Sequence, residues 1–529
     1  MNIKLKNETS CALYLTDPFE IVSIVKSLKS SDSAGIDEIS TKLLKSVHNY
    51  IAEPLSLIIN VFISKGLFPE KMKIAKVCPV FKSGAKDKFT NYRPISILTS
   101  FSKIFEKVIA SRLLHYIEQH DIFSPSQYGF RKQHSTNMAL MHLYDKVSEA
   151  IDKNEFCVGI FIDLSKAFDT INHDILLRKL DTYGIRGIAN NLIRSYLDSR
   201  MQYVQYNDCC SSLKPITCGV PQGSILGPLL FLLYINDIAN CSKLLHFILF
   251  ADDTNILCTD SNVWRLMSTL NSELKILSDW FKANKLSLNV QKTNFMIFGY
   301  KKMPTNTNSS MNFNIHIDNV NIAEVENTKF LGIIIDRKLS WQQHITYIAL
   351  KISKAVGIMK RLRYKLPRSC LLALYYSLIY PHLYYCNIVW GCASKSLLNE
   401  LVVLQKRAIR VINNANYLCH TDPLFKLCNV LKFCDLNLFF SCQFAYQFIN
   451  KYLPSTCENF LQIKSKSLNP YNLRFPDEFV IPQYRTLVRE RCVRVRAPKF
   501  WTTLPDNVKM SLSIVSFKHR SRCIVIENY

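Results

Sequence analysis

The stretch from Leu245 to Leu257 (Leu-His-Phe-Ile-Leu-Phe-Ala-Asp-Asp-Thr-Asn-Ile-Leu) constrains this chain more than any other. An apolar run climbs to two adjacent carboxylates, Asp252 and Asp253, and a second apolar run leaves them. The pattern predicts two strands joined by a tight turn, with Asp and Asn near the turn where they are favoured. Neighbouring acids at the tip of an apolar hairpin repel each other, so stability alone gives no reason for the pair. A bound divalent cation would remove the repulsion. Taken alone, Ala-Asp-Asp is more often a solvated turn; the rest of the chain decides.

At 529 residues the chain is too long for one compact core, and two or three domains are expected. Its 48% hydrophobic content describes a globular protein, not a disordered one. A formal net charge of +25 points to a polyanionic partner, nucleic acid before membrane. The charge is uneven: from Arg337 to Asn399 there are ten Lys or Arg and no Asp or Glu. Eighteen cysteines offer no Cys-x-x-Cys, and Cys419-His420 has no second pair at zinc-knuckle spacing. Met1 to Thr16 has no signal-peptide core, and no stretch reaches the ~18 apolar residues of a membrane span. The cysteines are therefore expected to be reduced and buried in an intracellular protein.

Taken in order, residues 1–70 read as short helices, one from Pro18 to Leu28 and another from Thr41. Strand-like sequence follows from Lys71, then helices from about Phe101 and Ser135. Lys82, Arg93 and Arg131 all fall at turns, where a cation can reach a phosphate. Phe156 to Asp163 is a buried strand closed by an acid; Asp169 and Asp174 beyond it read as helix caps. Gly219 to Pro228 holds three of the chain's fourteen glycines and lets backbone approach a ligand, though it lacks the Gly-Lys-Ser/Thr ending of a P-loop. Val263, Met267, Leu270, Leu274, Leu277 and Phe281 mark the core stripe of a long helix. Phe330 to Ile335 reads as a further buried strand. Ile345 to Met359 then forms a helix whose other face, with Lys351, Lys354 and Lys360, suits a nucleic-acid backbone. The last third is helical and aromatic-rich, its aromatics assigned to core rather than to base stacking.

If the strands ending at Asp163 and Asp252 pair, three carboxylates converge. Such oxygen ligands suit Mg²⁺, held also by substrate phosphates. Two ions about 3.5–4 Å apart can clamp the attacking and leaving oxygens of a phosphoryl displacement. With cationic turns upstream and a basic helix downstream, that describes a nucleotide polymerase; a two-metal nuclease would need neither the turns nor the Gly-rich loop.

Several blocks in order carry a resemblance. They are Pro79-Val80-Phe81-Lys82 with Asn91 to Ser96, Gln127-Tyr128-Gly129-Phe130-Arg131, Phe161 to Asp169, Gly219 to Pro228, Phe250-Ala251-Asp252-Asp253 and Lys329-Phe330-Leu331-Gly332. From Pro18 through Arg520 the chain closely resembles the reverse transcriptases of non-LTR (LINE-type) retrotransposons, especially the jockey-like group. The resemblance implies an α+β right-hand polymerase: fingers, an antiparallel-sheet palm, a helical thumb and a helical carboxy-terminal extension. It implies Asp163, Asp252 and Asp253 as catalytic metal ligands, with the Leu164 carbonyl as an extra one. Phe168 would be the gate against a ribose 2′-hydroxyl. Gln222 and Gly223 would line the incoming nucleotide, and Lys82 and Arg131 would hold its triphosphate. Lys292 is a candidate to protonate the pyrophosphate, and Leu331 and Gly332 would grip the primer.

The expected segments are an amino-terminal helical extension (1–70), fingers and palm (71–340), a thumb (341–400) and a basic, aromatic helical region (401–529). The implied function is RNA-directed DNA polymerisation with two Mg²⁺ (or Mn²⁺) ions, in cytoplasm and nucleus. Its implied partners are an RNA template, a DNA primer or target, deoxynucleoside triphosphates and an RNA-binding protein of the same element, with no membrane. The expectation is of a chain lacking the family's amino-terminal endonuclease, and the terminal zinc knuckle of some members finds no matching spacing in this sequence. Within enzymes, the runner-up is a maturase or other RNA-templated polymerase with the same palm. Outside them, it is a domesticated RNA-binding protein that keeps the fold without turnover.

Overall fold

A computed structural model describes residues 8–299, 314–463 and 479–529. In chain order, helices α1 (Pro18–Ser27) and α2 (Thr41–Lys65) lead to strands β1 (Ile74–Phe81) and β2 (Tyr92–Ile97) and helix α3 (Ser100–Gln119). Helix α4 (Thr136–Asp152) and strand β3 (Phe156–Ile162) follow, then α5 (His173–Thr182) and α6 (Ile188–Leu197). Three short strands, β4 (Met201–Tyr206), β5 (Cys209–Cys210) and β6 (Lys214–Pro215), precede α7 (Leu226–Ile235). Strands β7 (His246–Phe250) and β8 (Asp253–Asp260) come next, followed by α8 (Val263–Ala283) and β9 (Asn294–Phe298). Short strands β10 (His316–Ile317), β11 (Val320–Asn321) and β12 (Ala323–Glu324) lead to β13 (Asn327–Phe330), β14 (Ile333–Asp336) and α9 (Gln342–Leu362). The chain is mixed α and β, with a helical carboxy-terminal region, as expected.

The chain folds as two compact units, and it passes from one to the other several times. The first unit comprises Met1–Phe130, Asp163–Leu244 and Glu273–Asn289. Its amino-terminal helices are set by local chemistry. Asp17 caps α1, accepting from the Glu20 amide, with Pro18 at the first helical position. Ser40 caps α2, and Gly66 ends it in the left-handed conformation. At 25 residues α2 is no short helix: Leu44, Ile59 and Ile63 bury one face, and burial outweighs the internal Pro54. The unit's sheet runs β2-β1-β4-β5, with β6 beside β4.

The second unit comprises Arg131–Ile162, Leu245–Ser272 and Val290–Tyr529. Its five-stranded sheet has the order β12-β9-β3-β8-β7, with β3 antiparallel to both neighbours. β3 is central, and α4 packs against β3, β7 and β8, so β3 is apolar almost throughout. The chain leaves this unit within α8, after Ser272, and all six residues of that helix's apolar stripe are buried. The predicted strand from Phe330 to Ile335 is instead a hairpin, β13 and β14, with Leu331 and Gly332 as its turn. Both turn residues have positive φ (45° and 81°), the geometry that closes a two-residue hairpin. In α9 Ile345, Ile348, Ile352, Val356 and Met359 are buried, while Lys351, Lys354 and Lys360 are exposed.

The aromatics of the last third divide: Trp390 and Tyr375 are buried and Tyr446 stacks on Phe517 at 4.3 Å, but Tyr376, Tyr384 and Tyr385 are exposed, against the expectation of core. All cysteines are free thiols, but Cys209, Cys210, Cys218, Cys370 and Cys434 are exposed, against expectation. Two of these form β5, an edge strand only two residues long, too short to cover its own side chains. Among the described residues no helix is long and apolar enough to cross a membrane. The first seven residues of the amino-terminal segment and 464–478 of the carboxy-terminal region lie outside the described residues.

Candidate active site

In the second unit the hairpin β7–β8 pairs Phe250 with Asp253, so its turn is Ala251-Asp252. Asp253 is therefore the first residue of β8 rather than part of the tip. The register follows from buried residues on both strands, Phe247, Ile248 and Leu249 against Thr254, Asn255 and Ile256. Asp252 is half-buried and Asp253 exposed. Ala251 is buried and has φ 55°, a conformation that costs an L-residue on the order of 1 kcal/mol. Glycine is the usual residue there. β8 continues along β3, with Thr254 opposite Ile162, the last residue of β3.

Asp163 follows Ile162 in the chain and belongs to the first unit. Its carbonyl accepts from the Asn289 amide (2.9 Å) and its Oδ2 from Asn289 Nδ2 (3.0 Å). The Ser165 amide donates to the Ser287 carbonyl (2.9 Å), so Leu164 sits opposite Leu288 in a single bridge. These two rungs leave the Leu164 carbonyl outside the pairing. Leu286 to Asn289 forms no strand beyond this one bridge.

The Gly-rich loop is also in the first unit. The Gly219 amide donates to the Ile171 carbonyl and the Val220 amide to the Phe168 carbonyl (2.8 and 2.9 Å). A Cβ on Gly219 would stand 2.6 Å from the Asp169 carbonyl oxygen, and one on Gly223 2.6 Å from the Ser96 carbonyl oxygen. Both glycines have positive φ, so no other residue fits without moving the backbone. The Gln222 carbonyl accepts from the Ser96 amide (2.7 Å), and its side-chain amide donates to both oxygens of Asp169 (2.9 and 3.1 Å).

Asp169 is thus not the predicted cap. Asn172 caps α5, and Asp174 lies in its first turn. Burial pushes the Asp169 carboxyl above its ordinary range, against the opposing pull of Gln222 and Lys166. Phe168 is half-buried, its ring against Phe231 (centroids 4.5 Å apart) and edge-on to Phe130 (6.4 Å). Behind the loop, buried Glu106 of α3 accepts from the Ile225 and Leu226 amides (2.7 and 3.1 Å) at the start of α7, a carboxylate on a helix N-terminus.

The remaining predicted residues are spread over both units. Lys82 follows β1 and is exposed, its amide bonded to the Asn91 carbonyl (2.8 Å). Arg131 is half-buried at the start of the second unit. Lys292 is exposed in the turn before β9. The Leu331 carbonyl accepts from Tyr385 Oη (2.8 Å), and the Tyr385 ring closes over Gly332, where a Cβ would stand 3.3 Å from it. On α9 the Lys351 ammonium lies 4.5 Å above the Tyr347 ring, and Lys329 approaches the same ring at 5.8 Å. Lys354 is exposed one turn on.

Residues 82–335 match the family described as reverse transcriptase (RNA-dependent DNA polymerase). This segment, just under half of the chain, belongs to the reverse transcriptase family. Among curated proteins it is 31% identical over 440 residues to a probable RNA-directed DNA polymerase from transposon BS of Drosophila melanogaster, covering 79% of this chain and 46% of that one. It is 29% identical over 427 residues to the RNA-directed DNA polymerase from mobile element jockey of the same fly, with the same coverage of each chain. A probable polymerase from transposon X-element is 26% identical over 419 residues, 78% of this chain and 45% of that one. The chain thus spans less than half the length of these relatives. The similarity falls within the group that the motif order indicated.

Reverse transcriptases use divalent metal ions. Among the described residues no group of three or more His, Cys, Asp or Glu forms a ready metal cage. Mg²⁺ is commonly held by one or two carboxylates, with waters and substrate phosphates supplying the rest. Asp163, Asp252 and Asp253 are hard oxygen donors of that kind, and the Leu164 carbonyl is of the same chemistry. Sequence reasoning missed Asn289, Glu106 and Tyr385. Their type and local spacing are ordinary, and each acts on a partner distant in sequence.

Proposed function

We propose that this reverse transcriptase chain extends a DNA primer on an RNA template, adding deoxynucleotides by two-metal phosphoryl transfer. The observation that carries the reading is the strained Ala251-Asp252 turn on a hairpin whose second strand runs beside the end of β3. Asp163, Asp252 and Asp253 would hold the ions, with the Leu164 carbonyl as an additional ligand. Bound Mg²⁺ would supply Lewis-acid activation of the primer 3′-hydroxyl and neutralise charge on the departing pyrophosphate.

The chain's own side chains bind and orient. Lys82 and Arg131 hold the triphosphate, while Gln222 and Gly223 line the nucleotide. Phe168 excludes a 2′-hydroxyl. Leu331 and Gly332 grip the primer end, with Lys351 and Lys354 on the backbone. The primer oxygen bonds to the α-phosphorus as its own proton passes to water and the α–β bridging oxygen leaves, and Lys292 gives that leaving oxygen a proton. In this reading fingers and palm fall within 71–340 and the thumb within 341–400.

The test is primer extension on poly(rA) with oligo(dT), dTTP and Mg²⁺, wild type beside Asp252→Asn. The expected outcome is extension by wild type and a loss of at least about a hundredfold in the variant. If neither protein extends but both bind, with affinity falling steeply as salt rises, the chain is a binding protein without turnover. Equal extension by both would move the active site elsewhere.

A further inference from the structure

We propose that Phe130 is a specificity-determining residue that holds the Phe168 ring in its sugar-excluding position; this rests on the gate reading of Phe168 given above. Phe130 stands where neither burial nor backbone preference calls for an aromatic. Its side chain is 58% exposed and its φ is 51°, in the left-handed region that a bulky residue rarely adopts. Such a conformation persists only where its surroundings impose it, and it clusters at binding clamps. The segment before it is tied down. The Gly129 amide donates to Gln127 Oε1 (2.8 Å), the Gln127 amide to the Ser124 carbonyl (3.1 Å), and the Ser124 amide to Asn236 Oδ1 (2.7 Å).

The ring so presented meets Phe168 edge-on, at 6.4 Å between centroids and 85° between planes, a favourable aromatic geometry. Phe168 in turn lies at 4.5 Å and 30° on Phe231, which is fully buried in α7. Its backbone carbonyl takes the Val220 amide of the Gly-rich loop. Phe231 and Val220 therefore fix where Phe168 is rooted, and Phe130 limits where its ring can swing. A gate works only if it cannot rotate away from the atom it rejects, because a ring free to move accommodates a near-isostere. All of these residues belong to the first unit.

The experiment measures kcat/KM for dTTP and for UTP on the full chain with poly(rA)–oligo(dT), for wild type, Phe130→Ala, Phe130→Tyr and Phe168→Ala. An edge-on aromatic pair corresponds to roughly a three- to tenfold effect. Phe130→Ala is therefore expected to lower the dTTP/UTP ratio about three- to tenfold, mainly through a lower KM for UTP. Phe130→Tyr, which keeps the ring, should hold the wild-type ratio, and Phe168→Ala should lower it further than Phe130→Ala. If Phe168→Ala lowers the ratio and Phe130→Ala leaves it alone, the inference is overturned and the gate stands. A loss in Phe130→Tyr equal to that in Phe130→Ala also overturns it. If Phe168→Ala leaves the ratio unchanged, the gate reading itself fails, and the role of Phe130 with it.

Discussion

Asp145 is a buried carboxylate on α4 whose charge is matched from the far end of the chain. Arg489 Nη1 and Arg494 Nη2 donate to it at 2.7 and 3.0 Å, and its side chain is 6% exposed. Burial alone would raise its pKa, but the guanidiniums of Arg494 and Arg489 more than offset that and hold it below the usual carboxylate range. Removing one partner of such a group leaves the other charges buried and unmatched. Asp145→Asn is therefore expected to lower stability by about 3 kcal/mol or more, read as a shift in the urea midpoint. A shift under about 1 kcal/mol would mean that water reaches the arginines. At this scale the sequence was legible in placement, since Asp163 directly follows β3 and Asp252 lies in the turn of the β7–β8 hairpin. It was silent on Asp145, Glu106 and Asn289, because a single acid or amide on an amphipathic segment looks the same whether it is solvated or holds a distant partner.

Among the elements, the β13–β14 hairpin differs most from expectation. Its apolar run reads as one strand because Leu331 is a poor turn residue, and only the Gly332 beside it marked the bend. What holds Leu331 at positive φ includes a tertiary contact, the Tyr385 hydroxyl on its carbonyl. Tyr385→Phe keeps the ring over Gly332 and removes that hydrogen bond, together with the hydroxyl's interactions with Thr136 and Cys386. If this turn grips the primer, KM for primer–template should rise about three- to tenfold, with KM for dTTP at saturating primer unchanged. Equal rises in both would point to general loosening instead. Helices α1, α8 and α9 were legible from periodicity, since the residues at their apolar spacing are the ones they bury, whereas caps were not, Asn172 and not Asp169 or Asp174 capping α5. The two-residue strands were not, because their pairing is set by neighbours and not by their own sequence.

On the scale of the whole molecule, two interleaved units were beyond reading, since a boundary crossed several times leaves no single shift in composition. The second unit carries its own pH limit. Burial pushes the His142, His246 and His344 imidazoles down to about 4, whereas in the unfolded chain each titrates near 6.5. Below about pH 6.5 the unfolded chain takes up protons that the folded one refuses, so stability falls as pH drops toward 4. The lowered pKa of Asp145 acts in the same direction at still lower pH, its contribution lost as pH falls through the folded value. Urea midpoints at pH 5 should lie clearly below those at pH 7, with the difference reduced in His344→Phe; equal midpoints would show that these rings are protonated in the fold. The span between Asp145 and Arg489 also has a consequence in time. They are 344 positions apart, and at about 5–20 residues per second a ribosome needs roughly 20–70 s to travel that far. Throughout that interval Asp145 stays in water, because the arginines that match it when buried have not yet been made, and this part of the second unit cannot close before Arg489 and Arg494 follow. A chain cut short before Arg489 would lack both guanidiniums, and α4 could bury Asp145 only as an unmatched charge.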